Sequence, residues 1–362
     1  METVGKRGLT IVEKPTVNDI ARVAGVSLAT VDRVLNERPG VRLVTIEKVQ
    51  NAISELGYVR DTAAANLARR RMYNLLFILP GTNNEFVAAL ENQIAVQATR
   101  LINERTRLTV SKTPPFDAQA IVNQLDELDP ATTDGVAVFG PETPSVRDAI
   151  KRACDRGIAV VALVSDLPSS ERHHFVGIDN IAAGRSAAEL MGRFTRKAGK
   201  VLVITGSRLS RDHLERRTGF DEVLLQDFPD LESLPSIEAR DDPELLYRLL
   251  PDVFRNRQDI VGIYSSAGGN LGLIRYLEEM MPDNDLVVIA HELTPLTRAA
   301  LKSGTFDALI CQDTGHIVRS AVRLLRATAD NVPFNATQEH IRIDIYIKEN
   351  LLPEQAETEE DR

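Results

Sequence analysis

Ten short apolar runs punctuate the chain from Tyr73 onward, at residues 75–79, 108–111, 135–139, 159–164, 175–178, 201–204, 260–264, 286–290, 308–311 and 341–347. Most are continuous stretches bounded by Gly, Asp or Pro, the pattern of parallel strands covered on both faces rather than of half-exposed ones. Amphipathic helical segments lie between them. Parallel neighbours need such crossovers, so the pattern predicts successive βαβ units. A chain of 362 residues exceeds what one core can hold. The expected fold class is therefore α/β, with two doubly wound parallel-sheet lobes over residues 73–350.

The first seventy residues follow a different rhythm. Val17, Ile20, Ala21 and Ala24 have the spacing of one helical face, and Gly25 breaks the run. Ser27 stands where a second helix needs an N-cap. After it, Val31, Val34 and Leu35 form a new apolar stripe and leave Leu28, Ala29, Asp32 and Arg33 outside. Two short helices joined by a tight turn make a helix-turn-helix, whose second helix can lie in a DNA major groove. An ordinary helical hairpin is the alternative. The segment 37–40 reads as a turn. A third helix from about Val44 to Leu56 is expected to bury Val44, Val49, Ala52, Ile53 and Leu56, with Thr45 capping its start and Gly57 ending it. Tyr58 is expected to pack on this core.

Charge divides unevenly. Residues 1–71 carry 12 Lys and Arg against 8 Asp and Glu, whereas the remainder carries 31 against 44. A basic head on an acidic body is how a protein directs one end to a polyanion. Hydrophobic content of 43% and charge of 26% are globular values. The apolar runs fall far short of a membrane span, and residues 1–14 lack the apolar core and cleavage site of a secretory signal. With only Cys154 and Cys311 there is no disulfide framework. A cytoplasmic setting without membrane contact is expected.

Residues 16–36 also resemble the headpiece of the lactose/galactose repressor (LacI/GalR) family of bacterial transcription factors. The likeness rests on Thr16, Asp19, Ala21, Ala24, Gly25, Val26, Ser27, Thr30, Val31, Arg33, Val34, Leu35 and Asn36. It continues through Val49, Ala52, Leu56, Gly57, Tyr58, Ala64, Leu67 and Ala68. It implies a helix-turn-helix domain at 15–60 and a hinge helix or linker at 61–72; the residues before them, 1–14, read as a flexible arm. Leu28, Ala29 and Arg33 match the family's base readers. Arg33 can fork onto guanine, while Leu28 and Ala29 offer only apolar contact, as to a thymine methyl. The alternative for Leu28 is a peripheral core residue. Thr16, Ser27, Thr30 and Asn36 suit phosphate positioning. The hinge is too short to be helical alone in water; Asn66 and Leu67 are its DNA-facing positions, and Leu67 matches an apolar wedge for the minor groove. Two departures stand out: Asp32 replaces a common Ser and either braces Arg33 or accepts from a cytosine amino group, and Arg60 replaces a common Pro.

From Tyr73 the chain resembles the periplasmic sugar-binding protein fold (type I) that serves this family as its effector domain. Phe139, Gly177, Ile178, Asp179, Asn180, Ala183, Gly184, Glu215, Arg216, Gly219, Phe220, Gly304 and Gln312 carry that likeness. It implies one lobe at about 73–178 and 313–340 and a second at about 179–312 and 341–350; residues 351–362 read by composition as an acidic tail. Ligand sites in such folds open at strand C-termini. The candidate effector residues are accordingly Asn84, Phe86, Asp166, Arg216, Ser265, Ser266, His291, Glu292 and Gln312. A polyol needs paired donors and acceptors on its hydroxyls and one apolar face, which Glu292, Arg216, Gln312 and Phe86 supply. Each of them taken singly is as well explained as a structural residue.

The family's sugar sites usually carry Asp where Glu292 stands, and an Asp-Arg pair near Ser165 and Asp166; His291 points to an acidic or phosphorylated effector as the alternative.

The resemblance implies a homodimer, or a tetramer, on a pseudo-palindromic DNA operator, with a sugar, polyol or sugar phosphate as effector. No cofactor, metal or catalytic set is expected: GxSxG, GxxxxGK[ST] and GxGxxG are missing, and His173 and His174 are adjacent rather than spaced as on a zinc-binding helix. A solute-binding protein, and a sugar-metabolising α/β enzyme with a helical extension, are the competing readings.

Overall fold

The computed structural model describes residues 15–35, 39–56, 58, 71–255, 257–335 and 337–351. The arm, residues 61–70 of the expected hinge with Asn66 and Leu67, Asn36, Gly57 and residues 352–362 of the acidic tail lie outside them. Two compact units divide at Arg71 and Met72.

The first unit holds α1 (Val17–Ala24), α2 (Leu28–Leu35) and α3 (Leu43–Leu56). Gly25 ends α1 in the left-handed region at φ 64°, where a side chain would be strained, and its N–H closes onto Ala21 O. Ser27 caps α2: its Oγ accepts from Thr30 N at 3.2 Å. Ile20, Val31, Val49 and Ala52 are buried, and Val17, Ala21, Ala24, Val26, Val34, Leu35, Ile53, Leu56 and Tyr58 pack around them. One expected core position fails. Val44 is 64% exposed. The helix starts earlier than expected, with Arg42 O taking Thr45 N and Ile46 N, so Thr45 lies inside it rather than at its cap. Val44 falls about 140° round the helix from Val49, on the opposite side from the core.

The second unit contains two sheets. The first joins β1 (Tyr73–Pro80), β2 (Thr106–Thr113), β3 (Gly135–Val138), β4 (Ala159–Leu163) and β5 (His174–Val176) in the order β2-β1-β3-β4-β5, all parallel. Its helices are α4 (Glu85–Leu101), α5 (Ala118–Asp126) and α6 (Pro144–Asp155). The second sheet contains β6 (Gly199–Thr205), β7 (Leu231–Ser233), β8 (Ile237–Glu238), β9 (Ile260–Ser265), β10 (Val287–His291), β11 (Ala308–Gln312) and β12 (Ile343–Tyr346). Its order is β12-β11-β10-β9-β6-β7, and β8 also pairs with β6. With it go α7 (Asn180–Phe194), α8 (Arg211–Asp227), α9 (Pro243–Arg255), α10 (Asn270–Met280) and α11 (Pro295–Ser303). After β11 the chain returns to pack α12 (Thr314–Ala329) on β1, β3, β4 and β5, and then comes back to add β12.

All ten expected strands form, in two doubly wound parallel lobes. Two features were not expected. β7 and β8 are three and two residues long, too short to leave a periodic signal. β12 runs antiparallel to β11, as an edge strand can when the chain returns from the other lobe. One apolar cluster includes Phe77, Leu90 and Ile317 with Val203, Phe220 and Tyr264; the last two rings stack at 4.4 Å. The crossing of α7 and α8 is tightest at two glycines. A Cβ on Gly184 would lie 1.9 Å from Arg216 O, and one on Gly219 would lie 2.1 Å from Ile181 O.

Candidate functional site

In the first unit the α2 face away from the core carries Leu28, Ala29, Asp32 and Arg33, all exposed. Leu28 is 50% exposed, which removes it from the core. Thr16 begins α1, but its hydroxyl is occupied: it donates to Asp19 Oδ2 at 2.7 Å, and Thr16 N donates to the same oxygen at 2.9 Å. Arg22 holds the other carboxylate oxygen at 2.6 Å. The Thr16 hydroxyl, then its amide and then Arg22 hold the Asp19 carboxyl down at about 2, from an ordinary 3.8. A depressed carboxyl stabilises the fold above its unfolded value and stops doing so as pH falls through its folded value. The anchoring of α1 by Asp19 is therefore expected to persist from neutral pH to about 4 and to be lost between there and pH 2. An NMR titration of the intact chain should place the Asp19 midpoint near 2; a midpoint near 4 contradicts the bonding described.

In the second unit a cavity of about 210 Å³ lies between the two sheets at their strand C-termini. That is below the roughly 300–1,000 Å³ of pockets for drug-sized ligands, and so suits a small metabolite. Each wall follows from the topology. The β1–α4 turn brings Asn84 and Phe86, the end of β3 brings Phe139, and the first turns of α8 bring Asp212, His213 and Arg216. The ends of β10 and β11 bring His291, Glu292 and Gln312.

Arg216, 3% exposed, organises the polar wall. Its Nε donates to Asn180 Oδ1 at 2.9 Å and its Nη1 to Ser266 O at 2.8 Å, while Nη2 lies 3.9 Å from Glu292 Oε1. Gln312 Nε2 donates to Glu292 Oε1 at 2.9 Å. Burial pushes the Glu292 carboxyl up to about 7, against the pull of Arg216 and Gln312. Glu292 is also one of the few non-glycine residues at positive φ, 70°, a conformation that costs free energy and tends to collect at ligand sites. His291 is held neutral: burial first, then Arg216 and His213, drive its proton off well below the ordinary range. Its Nε2 meets the Tyr264 hydroxyl at 2.9 Å. Burial raises the Asp212 carboxyl, but His213 and Arg216 outweigh that and keep it below its ordinary value.

Three buried atoms of this wall have no hydrogen-bond partner: Asp212 Oδ1, His291 Nδ1 and Gln312 Oε1. Leaving a buried polar group unpaired costs about 1–3 kcal/mol, so three among the residues of one cavity call for a partner. The walls are also joined across the lobes. Arg211 Nη1 meets Glu142 Oε2 at 2.8 Å, and Asp212 N donates to Ser165 Oγ at 3.3 Å.

Six of the nine residues expected from the sequence line this cavity: Asn84, Phe86, Arg216, His291, Glu292 and Gln312. Asn84 also caps α4, its Oδ1 accepting from Phe86 N at 2.8 Å. Asp166, Ser265 and Ser266 do not line it. Asp166 is clamped by Arg172 at 2.5 and 2.7 Å on a separate groove. Ser265 Oγ turns to Asn270 Oδ1 at 2.7 Å, and Ser266 Oγ to Ile204 O at 3.0 Å; both serines brace the wall from behind. Asp212 was not anticipated. Its signal was present, since it precedes Arg216 by four residues and so shares its helix face.

Comparison with known proteins matches residues 75–331 to the family described as periplasmic binding protein domain, and residues 16–61 to that described as bacterial regulatory proteins, lacI family. The chain is 27% identical over 177 residues to the HTH-type transcriptional regulator DegA of Bacillus subtilis, covering 49% of this chain and 51% of that one. It is 28% identical over 214 residues to catabolite control protein A of Staphylococcus aureus, covering 58% and 61%. The matches thus span between half and two thirds of those regulators' lengths. Among solved structures, the glucose-galactose binding protein GanP of Geobacillus stearothermophilus superposes with a TM-score of 0.69 at 18% identity, over 78% of this chain and 99% of GanP. That likeness is one of fold. Among the described residues, no helix is long and apolar enough to cross a membrane.

Proposed function

We propose that this chain, which belongs to the periplasmic binding protein domain family and carries a lacI-family regulatory domain at residues 16–61, is a DNA-binding transcriptional regulator whose operator affinity is set by a small polyhydroxy metabolite in the interlobe cavity. The observation that carries the reading is the exposed face of α2. It presents Leu28, Ala29 and Arg33 together on a short helix held by Ile20, Val31, Val49 and Ala52, in the one part of the chain with excess positive charge. Ser27 and Thr30 hydroxyls, 2.9 Å apart at the start of that helix, sit where phosphate contacts orient a recognition helix.

The protein acts as a homodimer on a pseudo-palindromic operator, since one head offers few base contacts and a pair multiplies them. Residues 61–72, with Asn66 and Leu67, serve as the hinge, and Asn36 adds a backbone contact. The setting is the cytoplasm, and repression is the favoured sign. Ligand in the cavity stabilises one arrangement of the lobes, and the population of DNA-competent dimers shifts by the ligand's differential affinity for the two arrangements.

A gel shift with the intact chain and DNA flanking its own coding region tests this. A retarded band that resists excess nonspecific DNA at about 0.15 M salt, the physiological ionic strength, and that disappears on deletion of residues 1–71, is the expected result. A truncated chain that binds as tightly as the intact one overturns the reading.

A further inference from the structure

The charges around the cavity say more about its ligand than its volume does. Among the described residues the wall holds four carboxylates, on Glu85, Asp212, Asp241 and Glu292, and no lysine. Its single arginine, Arg216, is already committed: two nitrogens are hydrogen-bonded to Asn180 and Ser266, and its charge faces Glu292. His291, buried to 1% exposure, is neutral and brings no charge. Of the helix N-termini that border the cavity, which elsewhere attract anions, those of α4 and α11 are capped, α8 has no side-chain cap but carries Asp212 in its first turn, and α10, preceded by Gly269, has no side-chain cap. Asn84 caps α4, Thr294 caps α11 through Thr297 N at 3.2 Å, and Asp241 Oδ1 takes Gly268 N at 2.9 Å just ahead of α10. What remains unpaired is Asp212 Oδ1 and Gln312 Oε1, which accept, and His291 Nδ1. The Tyr264 hydroxyl can give to or take from Nε2, so the tautomer decides whether His291 Nδ1 donates or accepts.

We propose that this cavity takes an uncharged polyhydroxy ligand and turns away the phosphate ester of the same compound. The inference rests on the ligand-controlled reading above and narrows its chemistry. A hydroxyl can both donate and accept, which fits the two orphaned oxygens and the orphaned ring nitrogen in either tautomer. A phosphate group has oxygens that only accept and carries between one and two negative charges near pH 7. It would meet Asp212 and Glu292 at close range, where the basic side chains beside them, His213 and Arg216, already face those carboxylates.

The test uses the intact chain at pH 7.5, by thermal shift and then calorimetry, with pairs of probes: D-glucose and glucose 6-phosphate, D-fructose and fructose 1-phosphate, D-ribose and ribose 5-phosphate, with inorganic phosphate alone as a further probe. At least one free sugar is expected to bind, and its ester at least a hundredfold more weakly. An ester that binds as tightly as its parent overturns the proposal, as does stabilisation by inorganic phosphate alone. If no member of either class binds at 10 mM, roughly the weakest affinity such a panel can detect, the polyol chemistry is wrong. The gel shift above then tells whether the regulator reading survives on its own. Glu292→Gln and, separately, Asp212→Asn should narrow the gap between parent and ester. Circular dichroism confirms that each variant folds, and a gap unchanged in both folded variants means that these carboxylates are not what rejects the anion.

Discussion

Replacing Arg33 with alanine should cost the protein most of its sequence preference while leaving the head folded. Arg33 is exposed on α2, and no part of the apolar cluster formed by Ile20, Val31, Val49 and Ala52 depends on it. A guanidinium forked onto guanine is worth about 1–3 kcal/mol of discrimination, or roughly five- to 150-fold per head. In a symmetric dimer the loss is taken twice, so operator affinity is expected to fall by about thirtyfold at least. The salt dependence separates base reading from simple charge. If Arg33 reads a base, Arg33→Lys keeps the positive charge but loses the planar fork, and specificity falls although nonspecific binding persists. If Arg33 touches only phosphate, Arg33→Lys binds almost normally, and Arg33→Ala weakens all sequences alike while lowering the salt slope by about one per head. Fluorescence anisotropy on operator and scrambled duplexes at several salt concentrations distinguishes the two outcomes.

The contrast between Leu28 and Val44 shows what could be read from the residues beforehand. Both are apolar, and both stand near a helix start. Leu28 was placed outside because the stripe of Val31, Val34 and Leu35 fixes the phase of α2, and it is indeed half exposed. Val44 reads as core from its apolar side chain, yet it stands five residues from Val49, an offset of about 140° that carries it off the apolar face. Moving the helix boundary by one residue leaves that offset unchanged, so the error is one of phase rather than of end. The strands were legible for the opposite reason. A continuous apolar run such as residues 159–164 is buried on both faces whichever residue begins it, so its placement survives uncertainty at the ends.

The cavity was only partly legible, and the reason is chemical. Strand ends are visible in a sequence, so His291, Glu292 and Gln312 could be placed at the mouth of the sheet. Which way a small polar side chain turns cannot be read there. Ser265 and Ser266 end β9 or follow it, as expected, yet their hydroxyls find Asn270 and Ile204 O behind the wall. Asp166 had a nearer partner in Arg172. Buried hydroxyls and carboxylates take whichever hydrogen bond the local backbone offers, and only the assembled structure says which.

Gly184 and Gly219 carry the second large expectation, because they decide where Arg216 stands. An alanine inside a helix normally stabilises it relative to glycine by about 0.5–1 kcal/mol. At Gly184 the added methyl would come within 1.9 Å of Arg216 O and 2.7 Å of Arg216 C. The obstacle is backbone, not a side chain able to rotate away, so α7 and α8 must separate. Overpacking of that kind costs about 1–3 kcal/mol and sometimes more, which outweighs the gain in helix propensity. Gly184→Ala is therefore expected to lower the melting temperature by several degrees, at roughly 2–4 °C per kcal/mol for a domain of this size. The displacement also carries off the guanidinium that holds Asn180, Ser266 and Glu292 in register, so ligand affinity should fall with stability, by about tenfold or more for a misplacement near 1 Å. Ser186→Ala on the same helix removes only a bond to Ala182 O and is the control, expected to shift stability by no more than about 0.5 kcal/mol. Calorimetric unfolding of both variants checks the sign: a Gly184→Ala protein more stable than its parent would mean that the two helices are farther apart than described, and that Arg216 is not placed by their contact.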